Sequence, residues 1–396
     1  MCLGRGYRRL LPPLLGNATD LVLTGGRIID PASGRDEAAD IAFGGGKVTG
    51  IGRDLPASGA EIVEVCGLLV VPGLIDLHTH VYWGGTSLGV DAVGVAQRSG
   101  TTTFVDAGSA GPGIFHGFRH HVIEPSPLRI IPYLNVSFPG IFAVSAAVTV
   151  GECAELRMLD ARECVRVITA NRDLIAGVKV RVGRNAGGAS GVAPLDIALE
   201  VAEETGLPVM AHLDNPPPSR LEVLARLRRG DILTHCFHPF PNAPVTDDGQ
   251  IREEVLEARR RGVIFDIGHG SGSFGFRTAE AMLAAGFLPD VISSDVHALS
   301  INGPAFDQLV TMSKFLCLGM DLIDVIRAST AAPAAALGRT YIGRLEIGAV
   351  GDASVLEFAE GEFQYRDVPG ELRVGRQRLV MRGLVVGGCW WHPPRV

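Results

Sequence analysis

Val70–Tyr82, VVPGLIDLHTHVY, decides how the rest of the chain is read. An apolar run from Leu68 to Val71 passes through Pro72-Gly73 into Leu74-Ile75-Asp76-Leu77, the composition of a buried strand, and that strand ends in two histidines one residue apart. Side chains alternate faces along a strand, so His78 and His80 point the same way and make half of a metal site. Such pairs also arise by chance on wet surfaces, so the pair alone does not separate ligand from surface. The stretches downstream do.

Seven further stretches have strand character: Thr101–Gly108, Leu128–Ser137, Gly177–Val182, Pro208–Asp214, Asp231–Phe237, Gly262–Gly268 and Val291–Val296. Amphipathic helices lie between several of them, such as Leu195–Glu204 closed by Gly206 and Glu253–Arg261 closed by Gly262. Eight βα units over this length predict an α/β (β/α)8 TIM barrel across residues 72–342. A doubly wound sheet is the competitor, but its first βα turn would carry a phosphate-binding glycine pattern, and here that turn is His-Thr-His.

On either side of this middle the pattern is short and β-like. DLVLTGG and DIAFGGGKVTGIG precede it; GRLEIGAVGDASVLEF and LRVGRQRLVMRGLVVGG follow. Residues 18–71 plus 343–396 are expected to form one small discontinuous β-sandwich with the barrel inserted in it. Residues 1–17, with a short apolar run broken by Pro12-Pro13, read as a disordered tail rather than a cleavable leader.

Composition narrows the partners. The chain has 396 residues, 46% hydrophobic and 20% charged, with a formal net charge of -7. No basic excess points to nucleic acid or an anionic membrane, and no run suits a membrane span. The seven cysteines are scattered and never in Cys-x-x-Cys spacing. They favour a cytoplasmic location and speak against a cysteine-bound zinc. A small-molecule substrate and a homo-oligomer are expected.

Catalytic groups of such barrels sit at the C-terminal ends of strands. The strands place His78, His80, Lys179, His212, His235 and Asp295 there. Singly, each later histidine is as well read as a hydrogen-bonded core residue, and Lys179 as a snorkelling lysine. Together they offer nitrogen and oxygen donors of the kind zinc, manganese or iron takes.

PGLIDLHTH, GVKVR, AHLD, THCFHP and SSDVHA, in this order, resemble the binuclear metal-dependent amidohydrolase superfamily, and FDIGHGSGSFGFRTAE resembles its dihydroorotase-like deacetylase branch. The resemblance implies two divalent transition metals, zinc foremost. His78, His80 and Asp295 would hold the more buried one and His212 and His235 the more exposed one. Lys179, carboxylated by carbon dioxide to a carbamate, and a hydroxide would bridge them. Asp295 would also shuttle the proton of the attacking hydroxide to the leaving group. Ser109 and Cys236 stand in no nucleophile motif and read as packing or supporting residues.

Substrate contacts are sought in Tyr82, in Arg181 and Arg184, in the loop residues His269, Ser271 and Ser273, and in His297 and Asn302. The expected reaction is hydrolysis of an amide or ester, deacylating an N-acyl amino acid or an acetylated 2-hydroxy acid. A cyclic amidase is the alternative, and a non-catalytic paralogue a third. Dihydroorotases resemble one another in an arginine directly after the His-x-His pair, where this chain has Val81-Tyr82.

Overall fold

The computed structural model describes residues 19–239 and 241–391, so the expected tail lies outside the described residues. The chain enters through β1 (Leu21–Asp30), β2 (Arg35–Gly44), β3 (Lys47–Gly52), β4 (Glu61–Glu64) and β5 (Leu69–Pro72). β1 and β2 pair antiparallel, and a register shift between Leu23 and Gly26 lets the first half of β1 pair with β4 and the second half with β5.

Pro72-Gly73 then turns the chain into the barrel. A Cβ on Gly73 would come within 2.3 Å of Thr102 Oγ1, so the close passage requires glycine. The next strand is buried at all six positions, as a sheet covered on both faces demands. Each of its large apolar side chains, Leu74, Ile75 and Leu77, stabilises the fold by about 1.5–3 kcal/mol.

This strand, β6 (Leu74–Thr79), begins a parallel series with β7 (Thr101–Ala107), β8 (Arg129–Asn135), β9 (Gly177–Val182), β10 (Val209–Leu213), β11 (Ile232–Leu233) and β12 (Ile264–Phe265), adjacent in chain order. The eighth segment, residues 291–296, closes the ring without forming a regular strand. It bridges Asp266 to Val291 and Thr79 to Val296, and the Asp295 backbone N–H donates to His78 O at 2.7 Å. β11, β12 and this segment are shorter than expected because the chain leaves extended geometry at their polar ends. His235 has φ 62° and Asp295 φ 48°, both left-handed.

The helices follow their local signals. Asp91 caps the helix Ala92–Ser99 by accepting from Val93 N and Gly94 N. The helix Ala193–Thr205 ends at Gly206. The helix Glu253–Arg261 carries Glu253 and Glu254 in its first turn and three arginines in its last, complementing its dipole, and ends at Gly262.

β13 (Ala353–Arg366), β14 (Leu372–Val386) and β15 (Cys389–Trp390) return to the entry strands, β13 pairing antiparallel with both β14 and β5. The two chain ends thus share one eight-stranded sheet with its own core, built from Leu23, Ile41, Phe43, Val70, Val355 and Val385 among others. No helix among the described residues is long and apolar enough to cross a membrane.

Candidate metal centre and active site

β6 delivers its two imidazoles to one point, as alternation requires. Nε2 of His78 lies 3.4 Å and Nε2 of His80 3.3 Å from Asp295 Oδ1. One ligand atom from each of these three buried residues falls within 4.8 Å of the others. Lys179, fully buried on β9, brings Nζ to 3.4 Å from His78 Nε2. The His235 ring lies 5.0 Å from that of His78 and 4.5 Å from that of His212. The structure therefore brings all six candidate ligands together at the C-terminal ends of the strands.

Neighbouring groups fix which ring nitrogens carry protons. Thr234 Oγ1 donates to Asp266 Oδ2 at 2.7 Å and so accepts from His78 Nδ1, also at 2.7 Å. Ser109 Oγ donates to Asp106 Oδ2 and accepts from His80 Nδ1 at 3.0 Å. His235 Nδ1 donates to the Gly268 carbonyl at 2.6 Å. In all three rings Nε2 is left with its lone pair, and imidazoles backed in this way by a carboxylate-bound hydroxyl or a carbonyl are oriented as metal ligands are. His212 Nε2 and Asp295 Oδ1 are buried with no hydrogen-bond partner. Orphaned donor atoms of this kind fit cations held among them.

Burial sets the charge of the site. It pushes His80 down to about 3 and holds His78, His212 and His235 well below the ordinary histidine range. It pushes Lys179 down to about 7 and raises Asp295 and Asp266 to about 6. His238 and His297, both at about 4, and His269, well below its usual value, are also depressed by burial.

These shifts give a stability prediction for metal-stripped protein. Seven imidazoles stay neutral when folded yet take up protons near pH 6.5 when unfolded, so acid favours the unfolded state. The carboxyls raised furthest, Asp76 at about 8 and Asp266 and Asp295 at about 6, act oppositely by binding protons when folded, but the seven imidazoles outnumber them. The melting temperature of chelator-treated protein is expected to fall as pH drops from 7.5 to 5.5. Calorimetry across that range checks it, and a melting temperature rising toward acid would contradict neutral buried imidazoles.

A cavity of about 270 Å3 opens over the cluster. That is just below the ~300–1,000 Å3 usual for small-molecule sites. His78, His80, His212, His235 and Asp295 line it, with Leu88, Ile141, Val144 and Leu299 as an apolar wall.

Of the expected substrate contacts, Arg181, Ser271, Ser273 and His297 line the cavity. Four others lie elsewhere. Tyr82 is turned into the core, stacked on Phe118 at 4.5 Å, because its ring gains more from apolar packing than from the wet mouth. Arg184 is exposed at the start of a short helical turn, Arg184–Gly187. His269 is fully buried; its Nε2 accepts from Lys314 Nζ at 2.6 Å and its ring stacks on Phe274. Asn302 lines a separate groove with Arg98, Phe306 and Arg378.

Sequence reasoning missed the carboxylates that support the candidate ligands. Asp106 and Asp266 are completely buried, and a lone charge in a stretch of strand character otherwise free of charged residues is itself a signal that something must satisfy it. It also missed Asp214, whose Oδ2 lies 3.5 Å from His212 Nε2 while its carboxylate accepts from Asn185 N and Ala186 N. Glu152, paired with Arg181 at 3.1 Å, sits in a loop with no pattern to mark it.

Strand-end imidazoles, a carboxylate and a buried lysine at the mouth of a parallel barrel define the class of metal-binding hydrolase barrels. The Amidohydrolase family model matches residues 69–372, and the chain belongs to that family. A deacetylase of Agrobacterium fabrum is 34% identical over 352 residues, covering 88% of this chain and 86% of the relative. Among solved structures, a dihydroorotase superposes with TM-score 0.86 at 32% identity, covering 94% of this chain and 99% of the other. An adenine deaminase gives 0.87 at 30%, covering 94% and 100%. These names denote different reactions, so likeness of fold does not choose the substrate.

Proposed function

We propose that this hydrolase is a metal-dependent deacetylase that removes a small acyl group from the amine or hydroxyl of a compound bearing a carboxylate beside the scissile bond. N-acyl amino acids and acetylated 2-hydroxy acids are such compounds. The observation that carries the reading is the convergence of four buried imidazoles, Lys179 and Asp295, with His212 Nε2 and Asp295 Oδ1 unpartnered, beneath a small cavity that also exposes Arg181. His78, His80 and Asp295 would hold one cation, His212 and His235 a second, and a carboxylated Lys179 would bridge them; zinc suits these donors. Bound there, the two cations supply Lewis acidity at the scissile carbonyl and a water acidified to near neutral pH.

The remaining work falls to side chains. Asp295 turns Oδ1 toward the imidazoles, and Oδ2 is left to take the proton of the attacking water and pass it to the leaving amine or alkoxide. A Cβ on Gly270 would come within 2.2 Å of that Oδ2, so only glycine lets the loop pass behind the carboxylate. Arg181 offers a charge-assisted contact to the substrate carboxylate. Ser271 and Ser273 add hydroxyls, and the apolar wall limits water. The six cysteines among the described residues are all free, in keeping with a cytoplasmic enzyme.

The name of the Agrobacterium relative supports deacetylation, whereas the dihydroorotase likeness keeps cyclic amides as a second reading. Against the second stands the turn after His80, where Val81 and Tyr82 are both buried in the apolar core. Metal-replete protein, carrying close to two equivalents of transition metal, is expected to hydrolyse open-chain N-acyl amino acids or acetylated 2-hydroxy acids. A coupled acetate-release assay over both hands of each, with dihydroorotate and hydantoins followed separately, checks it. Activity on the cyclic compounds alone would replace this reading with the second.

A further inference from the structure

Beside the cavity lies a buried carboxylate that the reaction above does not use. The Glu152 side chain has 0% exposure, and its two oxygens face Arg181 Nη1 at 3.1 and 3.4 Å. Arg181 follows Lys179 by two residues on β9, so both side chains leave the same face of the strand. Its own side chain keeps 18% exposure, at the cavity wall.

Glu152 is held by its loop rather than by chance contact. Ser137 Oγ donates to the Glu152 carbonyl at 2.9 Å, and Cys153 N donates to Ala186 O at 3.0 Å. A guanidinium on a flexible stem has many rotamers, and a fixed partner on one nitrogen removes most of that freedom. A carboxylate this far from water in turn needs a cation, and among the described residues Arg181 is the ion-pair partner the structure gives it.

We propose that Glu152 is a positioning residue that aims Arg181 at the substrate carboxylate and thereby sets the preference for charged over neutral acyl compounds. The inference rests on the carboxylate reading given under the proposed function. Glu152 touches no reacting atom; it acts through the direction of the Arg181 fork.

The test compares kcat/KM for an N-acetyl amino acid that the enzyme hydrolyses with that for its carboxamide. Wild type is expected to favour the acid by about tenfold to a hundredfold, the range of a hydrogen bond to a charged group, and Arg181→Met to lose that preference. Glu152→Ala is expected to cut the preference by about tenfold or to abolish it, with metal content unchanged. Glu152→Gln keeps an acceptor oxygen and is expected to retain the preference within about threefold, because direction rather than charge is what Glu152 supplies. A Glu152→Ala enzyme with full preference overturns the proposal, as does a Glu152→Gln enzyme that loses it as completely as Glu152→Ala. A wild type indifferent to the carboxylate overturns the substrate reading itself, and the proposal with it.

Discussion

Asp295→Asn is expected to lower the turnover number by roughly a hundredfold or more, the usual scale for a general acid-base group, while KM moves by no more than about threefold. The substitution keeps the shape of the side chain and one oxygen to face His78 and His80, which lie 3.4 and 3.3 Å from Oδ1. What it removes is a site that can accept a proton. Burial raises the Asp295 carboxyl to about 6 in the cation-free protein, and a bound cation would draw it back down, so its service as a base rests on the placement of Oδ2 rather than on that value.

Because Asp295 is also a candidate ligand, lost metal could imitate a lost proton shuttle. Metal analysis of the purified variant separates the two. A metal-replete Asp295→Asn enzyme turning over near the normal rate would remove the shuttle from the mechanism. A metal-poor variant restored to full rate by added metal would leave Asp295 a ligand only.

The cluster of candidate ligands was legible because its cues are short-range. His78 and His80 differ by one strand period, and the later candidates each fall within or just after a strand-like stretch. The backbone at those ends was not legible. His235 and Asp295 adopt left-handed φ values that their sequence neighbours do not require, and such strain persists only where surrounding structure enforces it. That is why the sixth and eighth strands read longer than they are.

Substrate contacts were read less well, because proximity in sequence is a poor guide once a strand turns. Tyr82 follows His80 by two residues yet leaves the mouth for Phe118. His269 looks like a fifth imidazole for the site, but its partner Lys314 comes from a helix 45 residues on, a pairing that local pattern cannot reveal. Asp106 and Asp266 fall within stretches of strand character, and their cost of burial was the unused cue.

Lys179→Ala is expected to reduce activity about a thousandfold or more, on the upper scale for loss of a single preorganised electrostatic group. Burial lowers the Lys179 amine to about 7, so a large share is neutral near physiological pH. A neutral amine can bond through its lone pair to the carbon of carbon dioxide and release one proton, leaving an anionic carbamate. That reverses the sign of the charge beside His78 Nε2, 3.4 Å away, and turns a group that would repel cations into one that could bridge them. Replacing the side chain by alanine removes the bridge but leaves the imidazoles and Asp295 in place, together with the space the stem filled. A short-chain carboxylate such as acetate or propionate, added with excess metal, is therefore expected to restore part of the activity, and a neutral amide of the same size is not. The dose-response of rescue, read against metal content, checks both halves of the argument. Clear density for an unmodified lysine in an active, metal-loaded crystal would assign the bridge to another group.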